Sequence, residues 1–189
     1  MACIALTKGR GLDCNRSSGG VKYIYFGVYD QFSPLPLVVN SEVTDIELGA
    51  NALYRYTPPR GSSQIMENIT GSTENGTISY QPTVSMVLNR LSKEDQNEIK
   101  LLGQTQVIIF AQLNEQLANG HDVIVALGVT NAMQLNAGTA DSGTAFADRN
   151  GYTLNFDGFE ADPFPMVEDY TTTPFDNAAF TITGGIITS

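Results

Sequence analysis

The clearest pattern along the chain is an alternation of apolar and polar side chains over residues 76–88, GTISYQPTVSMVL. A period of two is typical of a β-strand with one face in the core. The core face of this strand is predicted to carry Ile78, Tyr80, Val84, Met86 and Leu88. The opposite face would carry Thr77, Ser79, Gln81, Thr83 and Ser85. Because proline has no N–H to donate, Pro82 predicts a bulge or an unpaired position and a bend.

A second strand is predicted immediately before this one, in SSQIMENIT at 62–70. The segment between the two strands ends in Asn75-Gly76, a dipeptide that readily adopts the positive backbone angles of a hairpin turn. Residues 62–88 are therefore predicted to form one long β-hairpin.

One helix is predicted after the hairpin, over about residues 92–102 in LSKEDQNEIKLLGQ. Ser92 and Asp95 fit a capping box, and Gly103 is typical of a helix end. The apolar positions recur at helical spacing, which indicates a short amphipathic helix packed on a sheet. These positions are Leu91, Ile99 and Leu102.

Further strands are predicted where β-branched and aromatic residues cluster. The segments are VKYIYFGVY at 21–29, NALYRYT at 51–57, TQVIIFAQL at 105–113, DVIVALGVT at 122–130 and DRNGYTLNF at 148–156. Residues 30–50 read as a long loop with a short strand inside it. The pattern as a whole predicts a mainly β protein with a single helix.

The last segment, residues 163–189, combines prolines and acidic residues with aromatic side chains. A disordered tail would not need so many aromatics, so the segment is interpreted as an arm that docks on its own or a neighbouring subunit. The residues expected to make the arm contacts are Phe164, Tyr170, Phe175 and Phe180. The domain itself is expected to span 1–162, so a chain truncated after Asp162 is expected to fold.

The charge of the chain limits which partners it is expected to bind. The chain has 20 acidic and 10 basic residues, and residues 101–189 contain one basic residue, Arg149, against ten acidic ones. An acidic protein repels phosphates, so stable binding to nucleic acid is not expected. A surface that DNA passes without adhering remains compatible with this charge, as does simple solubility.

Candidate chemistry is sparse. His121 is a lone histidine beside a predicted turn, and Asp157, Glu160 and Asp162 do not match a calcium loop and are expected to form a solvated rim. Cys3 and Cys14 are too widely spaced for a CxxC unit and are expected to be reduced thiols. We therefore expect no enzyme, no cofactor and no metal site.

The apolar runs are too short for a membrane span, and the N-terminus has no secretory signal, so we expect no membrane association.

Three segments resemble the tail tube (major tail) proteins of tailed bacteriophages. They are the N-terminal pattern ACxALTxGRxLDCxxxxGGVKxIYF, the central ENGTISYQPTVSMVLNRLSKEDQNEIKLL, and GTAFADRNGYTLNFDGFEADP. Their order around a strand–strand–helix–strand core carries the resemblance, which covers most of residues 1–162. It is weaker over residues 30–50 and in the last thirty residues.

The resemblance implies a small two-sheet β-sandwich or barrel with one flanking helix. It also implies a homohexameric ring that stacks into a hollow tube, with tail sheath, terminator and baseplate proteins as partners. Such a protein is assembled in the bacterial cytoplasm and resides in the virion tail. On this interpretation Thr77, Ser79, Gln81, Thr83 and Ser85 are lumen-facing, and DNA passes them during ejection.

The segment 148–156 is then a closing hairpin and strand, with Tyr152, Leu154 and Phe156 in the core and an Asp148–Arg149 ion pair at its corner. Two alternatives stay open. A related tail or neck ring protein would share the fold, and a host- or carbohydrate-binding β-sandwich would cluster exposed aromatics on one face. The absence of Trp counts against the second.

Overall fold

The computed structural model describes residues 8–11, 17–176 and 181–184. The first half of the chain forms strands β1 to β6 and a short 3-10 helix at Tyr29–Gln31, with β1 Val21–Val28, β2 Leu37–Val39, β3 Glu42–Asp45, β4 Ala52–Tyr56, β5 Gln64–Ser72 and β6 Thr77–Asn89. Helix α1, Lys93–Leu102, follows. The second half forms β7 Val107–Gln116, β8 Asp122–Leu127, β9 Gln134–Asp141, β10 Gly151–Asp157, β11 Met166–Val167 and β12 Thr181–Gly184.

The strands form two sheets, as expected for a mainly β sandwich with one short helix. The larger sheet has eight strands in the order β12-β4-β1-β7-β8-β11-β3-β2. The smaller sheet has four strands in the order β5-β6-β10-β9. The predicted helix is confirmed, because Ser92 caps it by accepting a 3.0 Å hydrogen bond from the backbone N–H of Asp95.

The main core lies between the two sheets. Val84 and Met86 of β6 and Leu154 and Phe156 of β10 are buried there against β1, β7 and β8. Phe156 meets Phe26 of β1 with ring centroids 5.0 Å apart. Core positions alternate along β10, as predicted for Tyr152, Leu154 and Phe156, because one face of the small sheet is covered by the large one.

A second core lies on the other face of the large sheet, where the loop 29–50 and the C-terminal segment cover it. Phe175 is buried in this layer, with its ring edge-on to Tyr25 at 5.1 Å and to Phe110 at 5.5 Å. Strands β1, β7 and β8 are therefore buried on both faces, which explains their continuous apolar runs.

The predicted arm supplies two strands to the large sheet. Strand β11 lies between β8 and β3, with Met166 opposite both Val125 and Glu42, and β12 pairs in parallel with β4. The segment after residue 162 is thus part of the sheet of its own subunit, which differs from an arm added to a finished domain. Phe180, Cys3 and Cys14 lie outside the described residues.

The predicted hairpin is present; of the two alternatives predicted at Pro82 the bulge is absent, and the predicted burial of Ile78 was wrong. The register between β5 and β6 runs without a shift from Gln64↔Ser85 to Ser72↔Thr77, so Pro82 creates no bulge. Its missing N–H falls just beyond the end of β10, where no ladder partner is required. Ile78 is 57 % exposed, because the hairpin extends past the region covered by the large sheet.

Strand β9 was missed by the sequence interpretation. Its sequence, QLNAGTAD, has neither sustained alternation nor β-branched enrichment. It becomes a strand through its pairing with β10, from Gly151↔Asp141 to Asp157↔Gln134. The long loop 30–50 contains the hairpin formed by β2 and β3, where one short strand was expected.

Candidate functional site

The outer face of the four-stranded sheet is a mostly polar surface. Directly paired residues share a face, so the register identifies its members. On β6 they include the five residues predicted from alternation, and their partners on β5 and β10 are also mostly hydroxyl and amide side chains. The rows are Gln64, Met66, Asn68, Thr70 and Ser72 on β5, Thr77, Ser79, Gln81, Thr83, Ser85 and Val87 on β6, and Thr153, Asn155 and Asp157 on β10.

Charge is scarce on this face, which we call the polar face. Asp157 pairs with Thr83, Asp141 lies at the far end of β9 opposite Gly151, and the guanidinium of Arg149, from the loop before β10, reaches the face at Thr153. No lysine or arginine occurs in the four strands of this sheet. The five predicted residues lie together opposite the buried Val84 and Met86, and their position in a tube lumen stays a prediction.

Several polar groups on this face hydrogen-bond to one another. Thr83 Oγ1 donates to the backbone oxygen of Met66 at 3.1 Å, and Asn136 Nδ2 donates to Asp157 Oδ1. A shallow depression of about 360 Å³ runs across the sheet between these residues. Because some donors and acceptors are already engaged, the face offers few strong contacts to a passing molecule.

Both edges of the small sheet are unpaired in the single chain: β5 on one side and β9 on the other. Neither edge strand contains proline or lysine, the residues that commonly block edge pairing. Each edge is eight or nine residues long. Long edges without such protection are suited to pairing with another strand.

Of the three acidic residues expected to form a solvated rim, Asp162 is exposed and Asp157 is half-buried, but Glu160 is not part of such a rim. Glu160 is buried, and its Oε1 accepts hydrogen bonds from the backbone N–H groups of Thr130 and Asn131 at 3.2 and 3.0 Å. Burial raises the pKa of nearby Glu67, whose Oε1 accepts a 2.9 Å bond from the N–H of Phe164. These carboxylates hold backbone segments in place, and among the described residues no group of potential metal ligands is found.

The corner before β10 is held differently from the expected ion pair. Asp148 Oδ2 accepts bonds from the backbone N–H groups of Thr144 and Ala145, and these bonds lower the pKa of its carboxyl. The guanidinium of Arg149 donates to Tyr152 O at 3.2 Å and to Thr153 Oγ1 at 2.9 Å. The corner is therefore a hydrogen-bonded loop with no direct pairing of the two charges.

A polar cluster at the other end of the large sheet fixes the C-terminal segment. His121, in the β7–β8 turn, stacks on Tyr170 with centroids 4.4 Å apart, and its Nδ1 lies 2.8 Å from Asp169 Oδ1. The Tyr170 hydroxyl accepts the N–H of Asp122 at 2.9 Å. Of the predicted arm contacts, Tyr170 and Phe175 pack on the second core and Phe164 on the main core.

Asp122 connects this cluster to the core. Its Oδ2 accepts hydrogen bonds from Lys22 Nζ at 2.5 Å and Gln112 Nε2 at 2.7 Å, and Gln112 in turn accepts the Tyr25 hydroxyl at 2.8 Å. Burial acts to raise the pKa of Asp122, but these hydrogen bonds outweigh it and hold the pKa below its usual value. The ion pair is thus structural, and sequence analysis gave no signal for it because its members are distant along the chain.

Comparisons of the chain with protein-family models, curated proteins and solved structures find no match. Within the described part of the chain, no helix has the length and apolarity needed to cross a membrane.

Proposed function

We propose that this chain is a structural protein that assembles into hexameric rings, which stack into a hollow tube that conducts DNA, as the bacteriophage tail tube proteins it resembles do. The observation that carries the proposal is the small sheet, which combines two open edges with a nearly neutral polar face. In the virion, the expected partners are tail sheath, terminator and baseplate proteins.

Strand direction supports closure of the ring through these edges. All three neighbouring pairs of the small sheet are antiparallel, so its four strands alternate in direction. Its first and last strands, β5 and β9, therefore run in opposite directions. When β9 of one copy lies beside β5 of the next, their pairing is antiparallel, and the alternation continues around a ring.

The size of such a ring suits a channel. Six copies of a four-stranded sheet give about 24 strands, and at about 4.8 Å between strands the circumference is about 115 Å and the diameter about 37 Å before strand tilt widens it. Barrels of 16–18 strands already enclose an aqueous channel. The main core would then lie outside this barrel, with the polar face toward the lumen.

The chemistry of the polar face suits passage of DNA. Binding of proteins to duplex DNA depends on lysine and arginine that displace counterions, and the strands of the small sheet contain neither. Asp141 and Asp157 add weak repulsion toward phosphates. A neutral to slightly acidic lumen would allow DNA to slide.

Electron microscopy of the purified protein tests the proposal directly. We expect hollow tubes of uniform diameter, or stacked rings with sixfold symmetry. A protein that stays monomeric at high concentration in every salt condition would contradict the proposal. Isolated rings that never stack would favour the alternative of a related tail or neck ring protein.

A host- or carbohydrate-binding sandwich is less well supported. That function predicts exposed aromatic side chains grouped on one face. Among the described residues, Tyr54, Phe146 and Phe159 are exposed, and they lie on β4, in the loop before β10 and after β10. This distribution does not form an aromatic platform.

A further inference from the structure

Two exposed apolar surfaces lie on opposite sides of the chain. The first, the apolar strip, is formed by the β2 segment, and its large side chains are 39–55 % exposed. Its members are Leu35, Leu37, Val38 and Val39, and Met166 of β11 is separated from them by the exposed Glu42 of β3. Strand β2 is also the outermost strand of the large sheet, so its backbone edge is open.

The second surface, the aromatic groove, lies between α1 and β4. It has a volume of about 210 Å³, and Tyr54 at 44 % and Leu101 at 57 % exposure stand at its mouth. Phe26, Tyr56, Leu102 and Val107 are among the residues that line it. The groove is apolar apart from Glu98 and Thr105.

The packing between the sheets shows that these surfaces face different neighbours in a ring. Glu67 of β5 accepts a hydrogen bond from the N–H of Phe164, which leads into β11, so β5 lies on the same side of the chain as β11, β3 and β2. On the opposite side, Leu135 of β9 lies beside Gly103 at the end of α1, next to the groove.

We propose that the apolar strip of one copy docks in the aromatic groove of the next copy around the ring. This inference rests on the proposed function, because the β9–β5 junction brings the groove side of one subunit against the strip side of its neighbour. A contact between two unlike surfaces of the same chain is heterologous, and it repeats around a ring until the ring closes. It leaves neither apolar surface exposed to water.

Two surface variants test this docking. The strip variant carries Leu37→Lys and Val39→Lys, and the groove variant carries Tyr54→Thr and Leu101→Gln. All four side chains are exposed, so each variant should fold, as thermal unfolding will verify. We expect each variant to need about a tenfold or higher concentration than wild type to associate in sedimentation velocity. Leu117→Lys, an equally exposed apolar position in the β7–β8 turn, is the matched control and should associate as wild type does.

A mixture of the two variants tests whether the contact joins two unlike surfaces. The strip variant keeps an intact groove and the groove variant keeps an intact strip, so these two surfaces can bind each other in a mixture. We expect heterodimers at concentrations where neither variant associates alone. Variants that associate like wild type, or a mixture that forms no heterodimer, would overturn the docking.

The test separates this inference from the proposed tube. Wild-type tubes together with unaffected variants would overturn the docking and leave the tube standing. Association that both variants abolish and the mixture restores, in a protein that forms no hollow tube, would support the docking and overturn the tube. A wild-type protein that never associates would overturn both.

Discussion

The carboxylate of Asp122 joins segments that are distant along the chain, because it accepts hydrogen bonds from Lys22, Gln112 and Gln116. Lys22 lies on β1 and the two glutamines lie on β7, next to Asp122 on β8. Its side chain is 7 % exposed. A buried carboxylate is tolerated only when its oxygens are paired in this way.

Replacing Asp122 by Asn is expected to destabilise the protein by about 1–3 kcal/mol, because the amide cannot accept all of these bonds. The pKa of Asp122 is lowered in the folded state, so its contribution is present above the unfolded value of about 4 and is lost as pH falls further. Urea unfolding at neutral and acidic pH measures both effects. This role would be contradicted if the free energy of unfolding of Asp122→Asn decreased below about pH 4 by as much as that of wild type.

Alkaline stability depends on buried tyrosines. Burial raises the pKa of Tyr56 to about 12 and that of Tyr25 to about 12, so the folded state disfavours ionisation of both. The free energy of unfolding is therefore expected to be unaffected by these groups below about pH 10 and to fall as pH rises toward 12. Tyr56→Phe should fall less steeply over this range, as followed by denaturant unfolding at each pH. Equal slopes for the two proteins would refute the assignment.

At the scale of elements, the interior position of β11 decides how the C-terminal segment contributes. It separates β8 from β3, so its removal would leave the β2–β3 hairpin without a partner in the sheet. The same segment carries Phe175 into the second core.

Truncation after Asp162 is therefore expected to prevent stable folding, in contrast to the expectation from sequence. Phe175→Ala in the full chain should cost about 3–5 kcal/mol, the range for deletion of a buried phenylalanine ring. Circular dichroism of the truncated chain and urea unfolding of the variant are the measurements. A truncated chain with a cooperative unfolding transition would show that the fold is complete without the segment.

The open edge of β9 offers a test of ring closure at the same scale. Asn150 O accepts from Arg90 N, so even-numbered residues of β10 bond to β6 and odd-numbered ones to β9. Ala140 pairs with the even-numbered Tyr152, so its N–H is directed to the open edge.

Ala140→Pro is thus expected to leave the chain folded and to block association, since it removes only an outward donor. The matched control is Thr139→Pro, which removes a donor to β10 and should destabilise the fold itself. Sedimentation velocity and thermal unfolding separate the two outcomes. Normal tubes from Ala140→Pro would exclude β9 as a pairing edge.

At the scale of the whole molecule, the large sheet covers one face of the small sheet and leaves the polar face exposed. Lysine at Thr77, Ser79 and Thr83 should leave assembly intact, because these side chains point away from the core. If the face lines the lumen, DNA binding should appear and weaken as salt rises, and passage of DNA should slow. If these lysines in assembled tubes react with a reagent that reaches only the outer surface, the polar face does not line the lumen.

The sequence predicted the features that depend on neighbouring residues better than those that depend on distant residues. The core positions Val84 and Met86 of β6, the cap at Ser92 and the core face of β10 were confirmed, because each depends on side chains a few positions apart. The polar face could be predicted because a period of two places every second residue on the same side.

Only the tertiary structure decided the rest, because strand pairing depends on partners distant along the chain. Strand β9 has no periodic signal of its own and is defined by β10, and β11 enters the sheet between strands that are far from it in sequence. Ile78 continues the apolar alternation but lies beyond the covering sheet, so it is exposed. The sequence thus determined which faces are apolar, and the three-dimensional packing determined which of those faces are covered.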